Sequence, residues 1–290
     1  MSLRSLKKKI GILLFNQRKP LKYILFDKIY SIFILNKTKL PKFLCEYNIN
    51  GFVKIMPNFK DDLNDLINNL SIEENQKEYP PFYFKIDNEI KKKLSKVLEI
   101  INKDYITFFK EYFNSEIFPA YINLRRNINY EKINLKKELF SDNYHNDAYL
   151  FTHFKLFINL NDISEKNGPM KIISKKNTRN FIKYINYKDR QDYSDENENF
   201  SFSNTGKIGE CLFFDPTKCL HKAGMPEKGY KRDYLIITYV GIPKKEELLK
   251  KLIKTDIYKY ENNELTSLAK PTQLIQTLKL LLNFYTKKLN

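Results

Sequence analysis

Three side chains in this sequence are candidate ligands for one metal ion, and two of them are spaced to act together. His145 stands two residues before Asp147, and His221 follows later in a chain with three histidines. Residues i and i+2 of an extended strand point to the same face, so the imidazole and the carboxylate can converge on one point. Two histidines and one carboxylate form the facial triad that binds non-haem Fe(II) and leaves coordination positions open.

A cation follows the second histidine at a position where it can serve a co-substrate. Arg232 comes eleven residues after His221 and precedes the apolar run 234–240. The guanidinium fork matches a carboxylate, so Arg232 is a candidate anchor for a dicarboxylate. Lys231 is the competing cation, and only the spacing favours Arg232 over it.

Further motifs surround these residues in a fixed order, from about residue 44 to about residue 242. They occupy positions 50–55, 145–147, 156–163, 167–170, 209–216, 221–224 and 232. In this order they resemble the phytanoyl-CoA dioxygenase family of Fe(II)/2-oxoglutarate-dependent oxygenases. The resemblance implies an α+β protein with a mainly β core, a double-stranded β-helix of the jelly-roll or cupin-like kind, flanked by N- and C-terminal helices.

The resemblance also implies roles for the candidate site residues. Fe(II) would be held by His145, Asp147 and His221, and the co-substrate 2-oxoglutarate by Arg232. Asn143 shares the predicted strand face of His145 and is a candidate donor to 2-oxoglutarate. The family often has Gln there, so Asn is a shortened variant at this position.

Two further comparisons with the family bear on the reaction. The residue two after the distal histidine is often Ser or Thr, whereas Ala223 lacks that hydroxyl group. Relatives that halogenate lack the ligand carboxylate, so Asp147 implies hydroxylation or a related oxidation. His153 is interpreted as a packed or exposed histidine rather than a ligand, and Lys155 as a structural residue.

The sequence therefore favours a dioxygenase that hydroxylates an unactivated C–H bond of a small-molecule or lipid- or sugar-linked substrate, with release of succinate and CO2. A protein of another class fits the same residues, namely a non-catalytic or zinc-holding cupin-like binding protein at a membrane surface. Relatives act on acyl-CoA, amino acids, sugars and secondary metabolites, so the resemblance does not choose a substrate. The oligomeric state is also left open.

The positive charge is concentrated at the two ends of the chain. Of the formal net charge of +17, residues 1–43 carry +10 and residues 271–290 carry +3. The segment 1–43 reads as a basic amphipathic helical extension, which either packs on the core or lies on an anionic membrane. No recognition motif or aromatic–basic interleaving favours a nucleic acid partner.

The chain divides into an N-terminal extension (1–43), an oxygenase domain (44–242) and a helical C-terminal extension (243–290). The cysteines Cys45, Cys211 and Cys219 have no C-x-x-C spacing, so free thiols and a reducing, cytoplasmic setting are expected. A peripheral membrane contact through the basic ends is compatible with that setting. Strands are expected near 51–56, 119–127, 142–148, 153–160, 170–174, 207–214 and 232–240. Helices are expected near 60–70, 88–113, 181–185, 246–257 and 272–286.

Overall fold

The computed structural model describes residues 40–74, 80–130, 141–147, 152–178, 200–243, 258–261 and 264–268. The helices are α1 (Lys42–Asn50), α2 (Lys60–Asn68), α3 (Asn88–Ile101) and α4 (Thr107–Tyr112), with a π-helical turn at Asn102–Ile106 and a 3-10 turn at Glu165–Asn167. The strands are β1 (Phe52–Ile55), β2 (Phe82–Tyr83), β3 (Ser115–Ile128), β4 (Thr152–Asn159), β5 (Lys171–Ile173), β6 (Ser201–Ser203), β7 (Cys211–Phe214), β8 (His221–Lys222), β9 (Lys231–Pro243), β10 (Tyr258–Glu261) and β11 (Glu264–Leu268).

A six-stranded antiparallel sheet forms the larger layer, in the strand order β1-β7-β4-β9-β3-β2. Side chains alternate between its two faces along each strand. One face, which includes Leu156, Phe213 and Leu235, packs against the helices in the main hydrophobic core. Rings stack closely in this core, and those of Phe109 and Phe154 lie 4.3 Å apart between centroids.

A second, three-stranded antiparallel sheet with the order β6-β5-β8 faces the other side of the large sheet. Met170 and Ile172 of this layer pack against Leu212 and Phe214 of the large sheet in a separate apolar cluster. The two sheets therefore enclose an interior that is distinct from the helix-covered core. This arrangement is a double-stranded β-helix, as the sequence predicted.

The helices cover the outer face of the large sheet. The α3 helix begins after Asp87, whose Oδ1 accepts a hydrogen bond from the Ile90 amide at 3.0 Å, as an N-cap does. It buries Leu94 and Val97, which are three residues apart and therefore lie on one face of the helix. Among the described residues, no helix is long and apolar enough to cross a membrane.

Several elements differ from the sequence-based expectations. The single helix expected over 88–113 is divided by the π-helical turn between α3 and α4. The strand expected over 142–148 is reduced to one bridge, between His145 and His221. Within 243–290, β10 and β11 pair as an antiparallel hairpin that the sequence did not indicate. The helices expected at 181–185, 246–257 and 272–286, and residues 1–39, lie outside the described residues.

Candidate metal centre

The two predicted histidine ligands lie side by side on neighbouring chain segments. The amide of His145 donates to the carbonyl of His221 at 3.0 Å, and the amide of His221 donates back at 2.9 Å. The amide of Asp147 then donates to the carbonyl of Pro216 at 2.8 Å, so no second bridge forms in register. In the register of this bridge Asp147 would face Cys219, but the Cys219 amide donates to the Asp215 carbonyl at 3.0 Å instead, so the ladder ends after one bridge.

A tight turn leads into the segment that carries His221. The Asp215 carboxylate accepts hydrogen bonds from the Thr217 amide at 2.9 Å, the Thr217 hydroxyl at 2.6 Å and the Lys218 amide at 3.1 Å. This is the behaviour of an Asx turn, in which a side chain replaces a backbone acceptor. Asp215 therefore shapes the approach to His221.

The three predicted ligands converge. One ligand atom from each of His145, Asp147 and His221 lies within 4.8 Å of the other two. The two imidazole rings have centroids 4.4 Å apart, and His145 Nε2 lies 3.9 Å from Asp147 Oδ1. Both histidines are buried. Two nitrogen donors and one carboxylate on a single side match the facial set that Fe(II) sites use.

Backbone carbonyls select the tautomer of each ring. His145 Nδ1 lies 2.8 Å from the Asn143 carbonyl oxygen, and His221 Nδ1 lies 3.1 Å from the Cys219 carbonyl oxygen. A carbonyl only accepts, so Nδ1 must carry the proton in both rings. Each ring then presents an Nε2 lone pair, and the Nδ1 contact fixes its orientation, as in known metal sites.

The charges of the site also suit a cation. Burial disfavours the ionised form of Asp147, but the ammonium of Lys155 and the rings of His221 and His153 outweigh it and hold the pKa of that carboxyl well below its usual range. Burial and the neighbouring His145 ring lower the pKa of His221 to about 3. At neutral pH the carboxylate is therefore ionised and His221 is neutral, which are the forms that bind metal.

Lys155 is part of this site, which the sequence analysis did not recognise. Its Nζ lies 2.6 Å from Asp147 Oδ2, leaving Oδ1 on the side of His145. The contact is made because Lys155 lies on the interior-facing side of β4, together with Phe157. The alternation of β4 was a signal for this placement, since Phe154, Leu156 and Ile158 mark the opposite, core-facing side.

The two candidate cations for 2-oxoglutarate lie on opposite faces of β9. Arg232 is buried on the interior side, and its Nη1 donates to the carbonyl oxygen of Gly168. Lys231 is 52% exposed and faces Asp233 at 3.6 Å on the other side. Gly168 adopts a left-handed conformation with φ of 62°, and an added Cβ would lie 2.2 Å from the Met225 carbonyl carbon.

The structure also places the remaining candidates. Asn143 contributes its backbone carbonyl to the His145 ring, and a contact of its side chain with 2-oxoglutarate stays a prediction. His153 is buried on the interior side of β4 and does not belong to the converging set. Cys211 and Cys219 are buried free thiols, as expected.

A cavity of about 460 Å³ borders the segments that carry the site, since it is lined by Asp142, Gly168 and Ala223. Its two lysines, Lys171 and Lys222, are opposite each other in the small sheet. The next cross-strand pair of β5 and β8 is Ile172 and His221, and the Ile172 side chain faces the interior. Side chains alternate, so the lysines project away from the metal ligands and this cavity is not the metal centre itself.

Comparisons with known proteins return distant structural matches. No protein-family model and no curated sequence matches this chain. The alpha-ketoglutarate-dependent non-haem epimerase SnoN of nogalamycin biosynthesis is 15% identical, with a TM-score of 0.43, covering 69% of this chain and 82% of its own. HygX from Streptomyces hygroscopicus, solved with nickel and 2-oxoglutarate, is 13% identical, with a TM-score of 0.46, covering 70% and 87%. EctD from S. alaskensis, solved with 2-oxoglutarate and 5-hydroxyectoine, is 11% identical, with a TM-score of 0.48, covering 72% and 80%. Similarity at this level does not extend to activity, which must be argued from the residues of this chain.

Proposed function

We propose that this protein is a non-haem Fe(II)- and 2-oxoglutarate-dependent dioxygenase that hydroxylates a C–H bond of a small-molecule or lipid- or sugar-linked substrate. The observation that carries the proposal is the convergence of His145, Asp147 and His221 within 4.8 Å, with both imidazole rings held in the metal-binding tautomer. When bound, Fe(II) and 2-oxoglutarate supply the oxidising chemistry, in which O2 is consumed and the co-substrate is decarboxylated to succinate.

The residues of the chain have distinct parts in this proposal. His145 and His221 offer neutral nitrogen donors, and Asp147 offers Oδ1 while Lys155 holds Oδ2. A carboxylate that is held in this way keeps its orientation, and such outer contacts commonly govern the affinity for the metal. The three ligands occupy one side only, so positions remain for a chelating co-substrate and for O2.

Arg232 is the proposed partner of the distal carboxylate of 2-oxoglutarate. Its guanidinium is buried on the interior side and is fixed by the Gly168 carbonyl, which uses only part of its five N–H donors. The remaining donors can form a paired contact with a carboxylate. Lys231 is the weaker candidate because its ammonium faces the other side of the sheet.

Metal analysis of matched histidine variants tests the proposal. The wild-type protein is expected to bind one equivalent of Fe(II) under anaerobic conditions, and His145→Ala is expected to bind none. His153→Ala is the control, because it removes a third buried histidine from the same interior and leaves all three proposed ligands in place. Stoichiometric iron in His145→Ala would remove the basis of the assignment. Retention of zinc with no affinity for 2-oxoglutarate would favour the binding-protein class instead.

A further inference from the structure

The interior face of the large sheet carries a cation that neither the metal centre nor the proposed co-substrate site uses. Arg125 lies on β3 directly opposite Tyr234 of β9 and Tyr83 of β2. Its neighbour Leu124 belongs to the helix-covered core. Because side chains alternate along a strand, Arg125 projects to the interior side, the side of Arg232 and Lys155.

One donor of the Arg125 guanidinium is buried without an acceptor in the part of the chain that the structure describes. Its Nε atom is buried and has no hydrogen-bond partner among the described residues, which also offer it no ion-pair partner. The contact that the structure records is with the ring of Tyr83, whose centroid lies 5.1 Å from Cζ. A buried donor without an acceptor costs free energy, and a charged donor costs more. This position therefore calls for a ligand that supplies acceptor atoms.

The adjacent arginine, Arg126, has acceptors for its guanidinium donors within the protein. Arg126 projects to the opposite face, where its Nε and Nη2 donate to the two carboxylate oxygens of Asp233, each at 2.7 Å. This bidentate pair neutralises Arg126 within the protein. Arg125 has the same side chain and nearly the same place in the chain but has no such carboxylate among the described residues.

Glu116, near the start of β3, is paired with Lys110 at 3.2 Å. From Tyr121 to Asn127 of β3, and along β4, β7 and β9, the described interior-facing positions include cations and no acidic residue. On β3, β4, β7 and β9 these positions are Tyr121, Asn123, Arg125, Asn127, His153, Lys155, Phe157, Asn159, Leu212, Phe214, Arg232, Tyr234, Ile236, Thr238 and Val240. Lys155 is neutralised by the ligand Asp147, and Arg232 is assigned to the co-substrate. Arg125 is left as a positive charge on this face, and no carboxylate of the described residues pairs with it.

A second unmet donor lies two residues away on the same face. Asn127 Nδ2 is buried without a partner among the described residues, while its Oδ1 accepts from the Tyr234 hydroxyl at 3.3 Å. Asn127 lies directly opposite Arg232 on the neighbouring strand, so we assign its unpaired donor to the 2-oxoglutarate site. Arg125 is one side-chain row further along, roughly 7 Å at about 3.4 Å per residue, which separates it from that end.

We propose that Arg125 binds an oxyanion of the primary substrate, a carboxylate, phosphate or sulfate group, and that the enzyme therefore acts on an anionic compound. The proposal rests on the proposed function in assigning Arg232 to 2-oxoglutarate. A planar guanidinium packed beside an aromatic ring is well suited to this task, since it offers paired donors in a fixed plane.

Calorimetric titration with small anions tests this assignment. Inorganic phosphate and propionate are titrated into the Fe(II)- and 2-oxoglutarate-loaded protein without O2, with propionamide as the uncharged analogue of propionate. We expect at least one of the anions to bind and propionamide not to bind. Arg125→Gln should lower the affinity for the anion about ten- to a hundredfold, as the loss of a charge-assisted hydrogen bond does. Arg125→Lys should recover part of the affinity.

The control removes the same side chain from the other face of the strand. The double variant Arg126→Gln/Asp233→Asn deletes a guanidinium without leaving its carboxylate unpaired, and it should bind the anion like the wild type. Equal anion affinity in wild type and Arg125→Gln, or no anion binding by the wild type, would overturn the assignment. So would a loss of affinity for 2-oxoglutarate in Arg125→Gln, since Arg125 would then serve the co-substrate. Failure of the wild type to bind Fe(II) and 2-oxoglutarate would instead refute the proposed function, and the anion titration of the metal-free protein would still decide the role of Arg125.

Discussion

Replacing Lys155 by Met should destabilise the metal-free protein, because it leaves a carboxylate in the interior without its cation. The ammonium lies 2.6 Å from Asp147 Oδ2, and the two side chains are 19% and 14% exposed. Methionine preserves most of the volume of the aliphatic stem, so the change acts mainly on charge. The substitution therefore isolates the contribution of the ion pair.

The expected loss is about 3 kcal/mol in the free energy of unfolding at pH 7. Removing one partner of a buried ion pair typically costs about 3–5 kcal/mol, since the remaining charge is neither solvated nor paired. The residual exposure of Lys155 and Asp147 places this pair at the lower end of that range. A bound divalent cation would compensate the carboxylate, so Ni(II) or Fe(II) should restore part of the loss.

The pH dependence follows from the pKa of Asp147. In the wild type this pKa is depressed, so the pair stabilises the fold above the unfolded value of about 3.9 and the contribution fades as the pH falls toward the lower folded value. In Lys155→Met, burial becomes the main influence and raises the pKa of the carboxyl above the unfolded value. The variant then loses stability as the pH rises from about 4, and the difference from wild type widens toward neutral pH.

Urea unfolding in the presence of a chelator, at pH 5 and pH 7, measures this difference. Lys207→Met is the control, because its ion pair with Asp162 is 2.9 Å long but both side chains are mostly exposed, and no measurable change is expected. Equal stability of Lys155→Met and wild type at pH 7 would refute the reasoning. A loss that is the same at both pH values would refute its electrostatic part.

Three further predictions concern the core, the co-substrate site and the basic ends. Phe154→Ala should cost about 3–5 kcal/mol in urea unfolding, because Phe154 is fully buried among stacked rings. Gly168→Ala should lower the affinity for 2-oxoglutarate at least tenfold in calorimetry, while the affinity for Fe(II) stays within threefold. The reason is that a Cβ at this position displaces the carbonyl group that fixes Arg232. Unchanged binding of 2-oxoglutarate would contradict this prediction. If the basic ends contact a membrane, deleting residues 1–38 should reduce the fraction of protein that pellets with phosphatidylserine vesicles. The deletion ends before Leu40 because Leu40 packs on the core. Equal pelleting of the two proteins would reject a membrane role for this segment.

The convergence of His145, Asp147 and His221 could be predicted from the sequence because part of its geometry is local. His145 and Asp147 are two residues apart, and the alternation expected of a strand predicted that their side chains would lie on one side. His221 follows the motif 209–216, which contains β7 and ends in the turn held by Asp215. The fold class was implied by the family resemblance that the motifs, taken in order, carry.

Other features depend on pairings that a single sequence does not determine. Lys155 meets Asp147 because of how β4 lies relative to the ligand segment, and nothing local to either residue specifies that contact. The carbonyls of Asn143 and Cys219 that fix the imidazole tautomers are backbone groups, so residue type carries no signal for them. Arg125 and Arg126 are adjacent and chemically identical, and only the register of β3 separates the paired one from the interior one.

The most direct test of the central claim is anaerobic addition of Fe(II) and 2-oxoglutarate, followed by visible absorption. If His145, Asp147 and His221 hold the metal with open positions, the wild type should develop the weak metal-to-ligand charge-transfer band of a chelated 2-oxoglutarate. The band should be absent in His221→Ala and present in His153→Ala. Absence of the band in wild-type protein that contains Fe(II), or its persistence in His221→Ala, would contradict the account.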